Sequence, residues 1–377
     1  MNFRRLKAIT KKELLHIVRD VRSLTLALAQ PLMMLLLFGY ALTLDVDRIP
    51  TYVYDRDHTP QSRELIDQFR GSRYFQIIAA VDDYKTTERA IDKNAVLLGL
   101  VIPQDYARHL LAGEQADVQL LVDGSDSNTA SIALGYAQIL VQTYAAELRS
   151  NAQVRRGGQP LRVAVEPRIR VWYNSDLKSK NFIVPGLIAV TMMIIAAMLS
   201  SLTIAREWEN GTMEQLLSTP VRPRELVLGK LLAYFALGIT DMVICIIVGV
   251  FIFQVPFRGS AWFLFFTSCL FLFGALCWGI FLSATARTQL LAYQLGMLSS
   301  FLPGYLLSGF IYSIQNMPKV IQAISAIVPA RYFVRILNGV FLKGVGIQFL
   351  WLEVLMLFIY AVLVFLAASR KMKQKVA

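Results

Sequence analysis

Between Phe182 and Ala205 the chain runs for twenty-four residues without a single charged side chain. A helix needs about 20 apolar residues to cross the roughly 30 Å hydrocarbon core of a bilayer. Five further stretches reach that length: Leu24–Leu44, about Leu226–Phe253, Ala261–Ala284, about Leu290–Tyr312, and Ile347–Ser369 with its one acid, Glu353. The composition agrees. The 377 residues are 55% hydrophobic and 17% charged, with a mean hydropathy of +0.50, against about 45–50% and about 25% in soluble domains. The composition argues against an ordinary cytosolic enzyme and excludes a disordered chain.

Charge gives these spans an orientation. The net charge is +12, but residues 45–176 hold 15 basic and 18 acidic side chains, so the rest of the chain carries +15. A nucleic-acid binder would carry its basic patch on a soluble domain, and none is expected. Arg4, Arg5, Lys7, Lys11, Lys12, Arg19 and Arg22 precede the first span, opposed by Glu13 and Asp20, and Arg370, Lys371, Lys373 and Lys375 follow the last. Basic flanks lie in the cytoplasm. Both ends are therefore read as cytoplasmic, and six spans give the matching parity. Segments 45–181, 254–260 and 313–346 then lie outside, and 206–225 and 285–289 inside. The basic residues at 319–343 are an exception to the simple charge rule. Phe3, Leu6, Ile9, Leu14, Ile17 and Val21 recur at helical spacing, so residues 1–23 read as an interfacial helix. Ala27-Leu28-Ala29 starts the first apolar run instead of following it, unlike a cleavage site, and residues 24–44 are read as an uncleaved span. Gln30-Pro31 reads as a kink in it.

Residues 45–181 alternate strand and helix patterns. Strands are expected at Thr51–Tyr54, Tyr74–Val81, Val96–Ile102, Val118–Val122 and weakly at Arg162–Tyr173. Helices are expected at Pro60–Phe69, Asp82–Ile91, Gln104–Leu111 and Asn128–Ser150. The fold expected of the whole is a membrane all-α bundle of six transmembrane helices, with an α/β extracytoplasmic domain inserted between helices 1 and 2. Residues 182–377 would supply helices 2–6. His58 and His109 are isolated, Asp55, Asp57 and His58 read as turn residues, and Asp123-Gly124-Ser125-Asp126 does not match a calcium loop. Cys245, Cys269 and Cys277 all fall in spans, as small buried side chains. No metal is expected.

The chain has no G-x-x-x-x-G-K-[ST]; at Gly229-Lys230 an arginine, Arg224, stands where the first glycine belongs. It cannot cradle a nucleotide phosphate by itself, and no catalytic triad is suggested. Two segments carry more information. Arg206–Pro220 reads REWENGTMEQLLSTP: Gly211 can break the emerging span, Thr212 can cap a short helix with Gln215 as its capping-box partner, Leu216 and Leu217 give that helix an apolar edge, and Pro220 stops it. Leu307–Pro318 reads LSGFIYSIQNMP and continues through PARYF (Pro329–Phe333) to FLKG (Phe341–Gly344). It is too apolar for a loop and too broken for one span, so re-entrant or interfacial helices are expected.

These two motifs, with the Glu225…Gly229-Lys230 that follows the first, resemble the ABC-2 family of bacterial ABC transporter permeases over essentially the whole chain. The large insert resembles that of the multidrug-exporter-like branch. The resemblance implies a permease subunit of an ATP-driven exporter in the bacterial inner membrane. A second permease, identical or related, would pair with it, and cytoplasmic ATP-binding subunits holding ATP and magnesium would dock below, so that this chain binds no cofactor and is not itself an enzyme. It further implies coupling to the ATPase through Glu207, Glu209, Gly211, Thr212, Glu214, Gln215, Leu216, Leu217, Thr219 and Pro220. An external gate would be formed by Ser308, Gly309, Asn316, Met317, Pro318, Pro329, Tyr332 and Phe333. In Gram-negative members a periplasmic adaptor and an outer-membrane channel often join the insert. Asp241 lies mid-way through the third span and should face the interior, as a pathway group or as a structural hydrogen-bonding one. Two other functions stay open: a membrane-anchored assembly or sensor protein, and an ion-coupled secondary transporter using Asp241. The substrate is not legible.

Overall fold

The computed structural model describes residues 3–41, 47–155, 172–174, 178–219, 221–286 and 288–376. The chain divides into two units, one of residues 1–43 with 171–377 and one of residues 44–170. The chain begins with α1 (Phe3–Arg19) and α2 (Val21–Ala41). The amphipathic pattern of α1 is interrupted at Asp20, so the basic segment and the first apolar run form two helices. α2 passes through Pro31 as one continuous helix.

The inserted unit follows in the order β1 (Ile49–Asp55), α3 (Pro60–Gly71), β2 (Phe75–Ala80), α4 (Tyr84–Asp92), β3 (Leu98–Ile102), α5 (Tyr106–Ala112), β4 (Gln119–Val122) and α6 (Ser127–Arg155). The sheet order is β2-β1-β3-β4, with β1 parallel to both neighbours and β4 antiparallel to β3. Every residue of β3 is buried, as its unbroken apolar run requires of a strand covered on both faces. Helix starts are set locally. Thr59 accepts from the Ser62 amide and Ser62 Oγ accepts from the Thr59 amide, a reciprocal cap ahead of Pro60. Asp83 caps α4, and Gly113 ends α5 with φ 76°. Phe69 packs on Phe75 at 5.0 Å, and this core continues through Leu98, Leu100 and Ile102 to Ala133, Ala137 and Tyr144 of α6. The weak strand expected at Arg162–Tyr173 lies almost wholly outside the described residues.

The helical unit resumes with α7 (Lys180–Glu209), α8 (Thr212–Leu217), α9 (Pro223–Ile247, extended by a π-helical turn, Val248–Ile252), α10 (Ala261–Thr285) and α11 (Gln289–Leu306). It ends with α12 (Lys319–Ser325), α13 (Pro329–Asn338) and α14 (Ile347–Val376). Among the described residues four helices are long and apolar enough to cross a membrane: Lys180–Glu209, Arg224–Ile252, Ala261–Thr285 and Ile347–Met372. A fifth arises if Lys319–Ser325 and Pro329–Lys343, bent by 84°, count as one broken span. The first and fifth expected spans fall short for different reasons. The apolar helix Ala27–Ala41 is brief and residues 42–46 lie outside the described ones, whereas α11 is diluted by Gln289, Gln294, Ser299 and Ser300.

The long uncharged run that dominates the sequence is the centre of this unit. α7 is buried almost continuously from Ile183 to Ala205, as expected of a helix apolar on all sides. α10 packs against it so closely that a Cβ on Gly279 would stand 2.4 Å from the Ala197 carbonyl oxygen and 1.9 Å from Ser200 Oγ. On α11, a Cβ on Gly296 would meet Ser201 Oγ at 2.9 Å. Small residues at a crossing let helix backbones approach where no hydrophobic effect drives them together. Ser283 Oγ of α10 accepts from the amides of Ile204 and Ala205, each at 2.9 Å.

Candidate functional site

α7 ends at Glu209 with Asn210 as its C-cap, and Gly211 adopts φ 70°, a left-handed conformation that glycine takes without a Cβ penalty. This reverses the chain into α8. Thr212 is therefore the first residue of α8 and not its cap; no side chain caps this helix. The Thr212 hydroxyl turns back instead to the carboxylate of Glu207, and to the Glu207 carbonyl at 3.3 Å. In α8, Met213 is buried and Leu216 packs on the core, while Glu214 and Gln215, and Ser218 and Thr219 just past its end, are exposed. Pro220 lies outside the described residues. Glu209 accepts from the Gln289 amide at 2.7 Å and so joins α7 to the start of α11.

Glu207 is the centre of a buried charge cluster. Lys230 Nζ donates to Glu207 Oε1 at 3.1 Å, to Glu13 Oε1 at 2.7 Å and to the Thr203 carbonyl at 3.4 Å. The Lys230 side chain is 2% exposed. Lys12 Nζ reaches Glu207 Oε1 at 3.0 Å from the surface. A cationic amine this deeply buried requires such partners. The cluster fastens α1, α7 and α9 together at the root of α8. α1 lies close along α9: a Cβ on Gly229 would meet Ile9 Cγ2 at 2.6 Å.

The residues expected at the gate occupy the opposite end of α7. Gly309 turns the chain with φ 83°, Ser308 is buried, and its hydroxyl accepts from the Phe310 amide at 3.2 Å. Phe310 packs over Gly186 near the start of α7. Asn316 ends a short 3-10 turn and Pro318 precedes α12. Gln322 donates to the Met317 carbonyl at 2.8 Å. Pro329 opens α13, Tyr332 donates to the Ala326 carbonyl at 2.7 Å, and Phe333 stacks on Phe271 of α10 at 4.1 Å. Two of the basic side chains that broke the charge rule have local partners here. Arg331 donates to the Gln322 carbonyl and Ser325 Oγ, and Arg335 pairs with Glu353 at 3.6 Å. Glu353, the one acid of the last expected span, is thus an ion-pair partner. Asp241 is buried in α9, and neither carboxylate oxygen has a hydrogen-bond partner among the described residues.

Among the described residues no cluster of His, Cys, Asp and Glu could hold a metal ion. Asp55 and Asp57 are taken up by turn and helix-start hydrogen bonds. His109 is bracketed by Glu114 Oε2 at 2.7 Å and Asp105 Oδ2 at 3.0 Å. Hydrogen bonds first to Glu114 and then to Asp105 raise its pKa above the ordinary imidazole value. A raised folded pKa means stabilisation that is fully present below the unfolded value and lost as pH rises through the folded one. In histidine-labelled protein, the resonance abolished by His109→Gln should titrate above about 6.5; titration at or below that value would contradict the bracketing.

The sequence as a whole has matching relatives. A family model described as "ABC-2 family transporter protein" matches residues 22–370. The chain is 38% identical over 346 residues to "Probable multidrug ABC transporter permease YbhS" of Escherichia coli K12, covering 91% of this chain and 90% of that protein. It is 31% identical over 349 residues to "Probable multidrug ABC transporter permease YbhR" of the same organism, covering 93% of each. It is 27% identical over 319 residues to that organism's "Inner membrane transport permease YhhJ", covering 82% of this chain and 80% of that protein. With the family model spanning nearly its full length, together with the apolar helices that cross its helical unit, the chain belongs to the ABC-2 family of transporter proteins.

Proposed function

We propose that this chain is the membrane-spanning permease subunit of an ATP-driven exporter in a bacterial inner membrane, moving drugs or other amphiphiles outward. In this reading the polypeptide crosses six times. Short apolar α2, α11 and the four long helices are the spans, both termini lie in the cytoplasm, and the inserted α/β unit is extracytoplasmic. The observation that carries the proposal is α8. It presents Glu214, Gln215, Ser218 and Thr219 to a partner while Met213 and the cluster of Lys230, Glu207 and Glu13 fasten it to three helices. A short helix held this way passes on a push instead of yielding to it. The partner is a separate ATP-binding subunit carrying ATP and magnesium, and a second permease, a copy or a paralogue, completes the pathway. Where an outer membrane exists, the α/β unit meets a periplasmic adaptor leading to an outer-membrane channel. The turn from Leu307 to Pro318 with α12 and α13 forms the external gate.

The test is copurification with a Walker-motif ATP-binding subunit encoded beside this chain, followed by ATPase and transport assays. Glu214→Arg should weaken association about tenfold or more and lower ATPase turnover of the assembled complex, with the thermal midpoint of the permease unchanged. Unaltered association and turnover would remove α8 as the coupling element. Asp241 is proposed as a group of the transport pathway, since an unpaired polar side chain within a span is costly to keep. Asp241→Asn preserves its shape, and export should lose its dependence on pH; an unchanged profile would leave Asp241 a purely structural role.

A further inference from the structure

A cleft of about 370 Å³ opens beneath the break between α1 and α2. Along α7 its wall is Met198, Leu199, Leu202 and Arg206, spaced so that they share one helix face. It therefore runs ~12 Å along the axis, from apolar to charged. Leu24 and Ala27 of α2 and Leu237 of α9 extend the apolar end, where Gln30 of α2 is the one polar side chain. His16, Asp20, Tyr234 and Tyr293 gather with Arg206 at the other. Arg206 uses Nε to donate to Gln289 Oε1 at 3.3 Å, and its two terminal nitrogens have no partner among the described residues.

This polarity gradient excludes two simple occupants. A soluble anion gains nothing from the leucine-lined half, and a bare hydrocarbon chain would leave the guanidinium and hydroxyl groups facing apolar matter. At about 370 Å³ the cleft has the size of a small-ligand pocket and takes a headgroup with the adjoining part of its chains, the rest continuing into the bilayer. We propose that the cleft is a binding site for one membrane phospholipid, its phosphate on Arg206 and the tyrosine hydroxyls and its acyl chains against Leu199, Leu202 and Leu237. A guanidinium fits phosphate geometry through paired donors.

Position gives the site a consequence. His16, Arg206 and Tyr234 also line a smaller cavity of about 190 Å³ beside Lys12, Glu13, Glu207 and Lys230. A bound headgroup therefore abuts the charge cluster that fastens α8, and its presence holds α1 against α7 and α9. The inference rests on the membrane placement of α2 and α7 and is independent of export.

The full chain, reconstituted in nanodiscs of phosphatidylethanolamine and phosphatidylglycerol, is tested with a phosphatidylethanolamine bearing a photoactivatable diazirine high on its acyl chain. Cross-links should concentrate on peptides containing residues 24–30 and 198–202. Leu202→Trp, which fills the trough, should cut the yield about tenfold, and Arg206→Gln about fivefold. Val362→Trp, on the exposed face of α14, should leave it unchanged. Thermal midpoints identify any variant that fails to fold, and Arg206→Gln then decides. Labelling spread equally over α14, or undiminished in folded Arg206→Gln, would overturn the site. Native mass spectrometry of the purified chain should find a retained phospholipid mass. Retention of a different amphiphile at the same cross-linked positions would overturn the phospholipid assignment.

Discussion

Replacing Lys230 by methionine should destabilise the helical unit by about 3–5 kcal/mol, the cost of stranding buried charges by removing their partner. The side chain is buried at 2% exposure and is held by Glu13, Glu207 and the Thr203 carbonyl. Methionine fills similar volume, so the loss is electrostatic: two buried carboxylates are left facing each other. Lys12 also touches Glu207, at 3.0 Å, but its side chain is 57% exposed, and an exposed pair contributes about 0–1 kcal/mol. Thermal unfolding in detergent should therefore rank Lys230→Met far below Lys12→Ala. Adding Glu13→Gln to Lys230→Met should recover part of the loss, because one stranded charge disappears. Equal midpoints for Lys230→Met and Lys12→Ala would mean that the cluster is not buried in the membrane-embedded protein.

The second large effect is expected at Gly279. Gly279→Ala should cost about 3 kcal/mol, at the upper end of the overpacking range. The added carbon would stand 2.4 Å from the Ala197 carbonyl oxygen, a backbone atom that cannot rotate away, so α10 must withdraw from α7. Ser200→Gly should restore only a part, since it relieves the contact with Ser200 Oγ and leaves the carbonyl. Gly135 in α6 is the control: nothing lies within 4 Å of its Cβ position. Gly135→Ala should raise stability by about 0.5–1 kcal/mol through helix propensity. Folded yield and thermal midpoint read both, and equal behaviour of the two alanines would refute the close crossing.

What the sequence revealed depended on the range of the interaction. Local signals were readable. Pro60, Asp83 and Gly113 mark helix boundaries in the inserted unit, and the apolar run of β3 announced a strand covered on both faces. Gly211 was readable as a break because left-handed backbone is a local demand. Thr212 was misread because the reversal at Gly211 makes it the first residue of α8 instead of its cap, and its hydroxyl donates to the buried Glu207 carboxylate, a charge-assisted hydrogen bond that the segment itself does not announce. The charge cluster was not legible, since 217 residues separate Lys230 from Glu13. Yet Gly229-Lys230 lies inside an expected span, and Glu13 is one of two acids among the N-terminal bases. A lone lysine one turn into a span is the signal for a buried partner. The count of spans was least legible, because apolar length cannot separate a short span from a packed helix when glutamine and serine dilute it, as in α11.

The burial of α7 has a mechanical consequence. Its two ends are engaged by different parts of the chain, Phe310 at Gly186 and the Lys230 cluster at Glu207. Between Gly186 and Glu209 it is one rod of ~35 Å, too stiff along its axis to absorb displacement. Pivoted near its middle, it shifts each end by ~1.5 Å for every ~5° of tilt. Under the proposed coupling, the crossings at Gly279 and Gly296 toward the Glu207 end would serve as the fulcrum and bring the pivot nearer to that end. The lever arm toward Phe310 would then be the longer one, and a small movement at α8 would arrive enlarged at the far side.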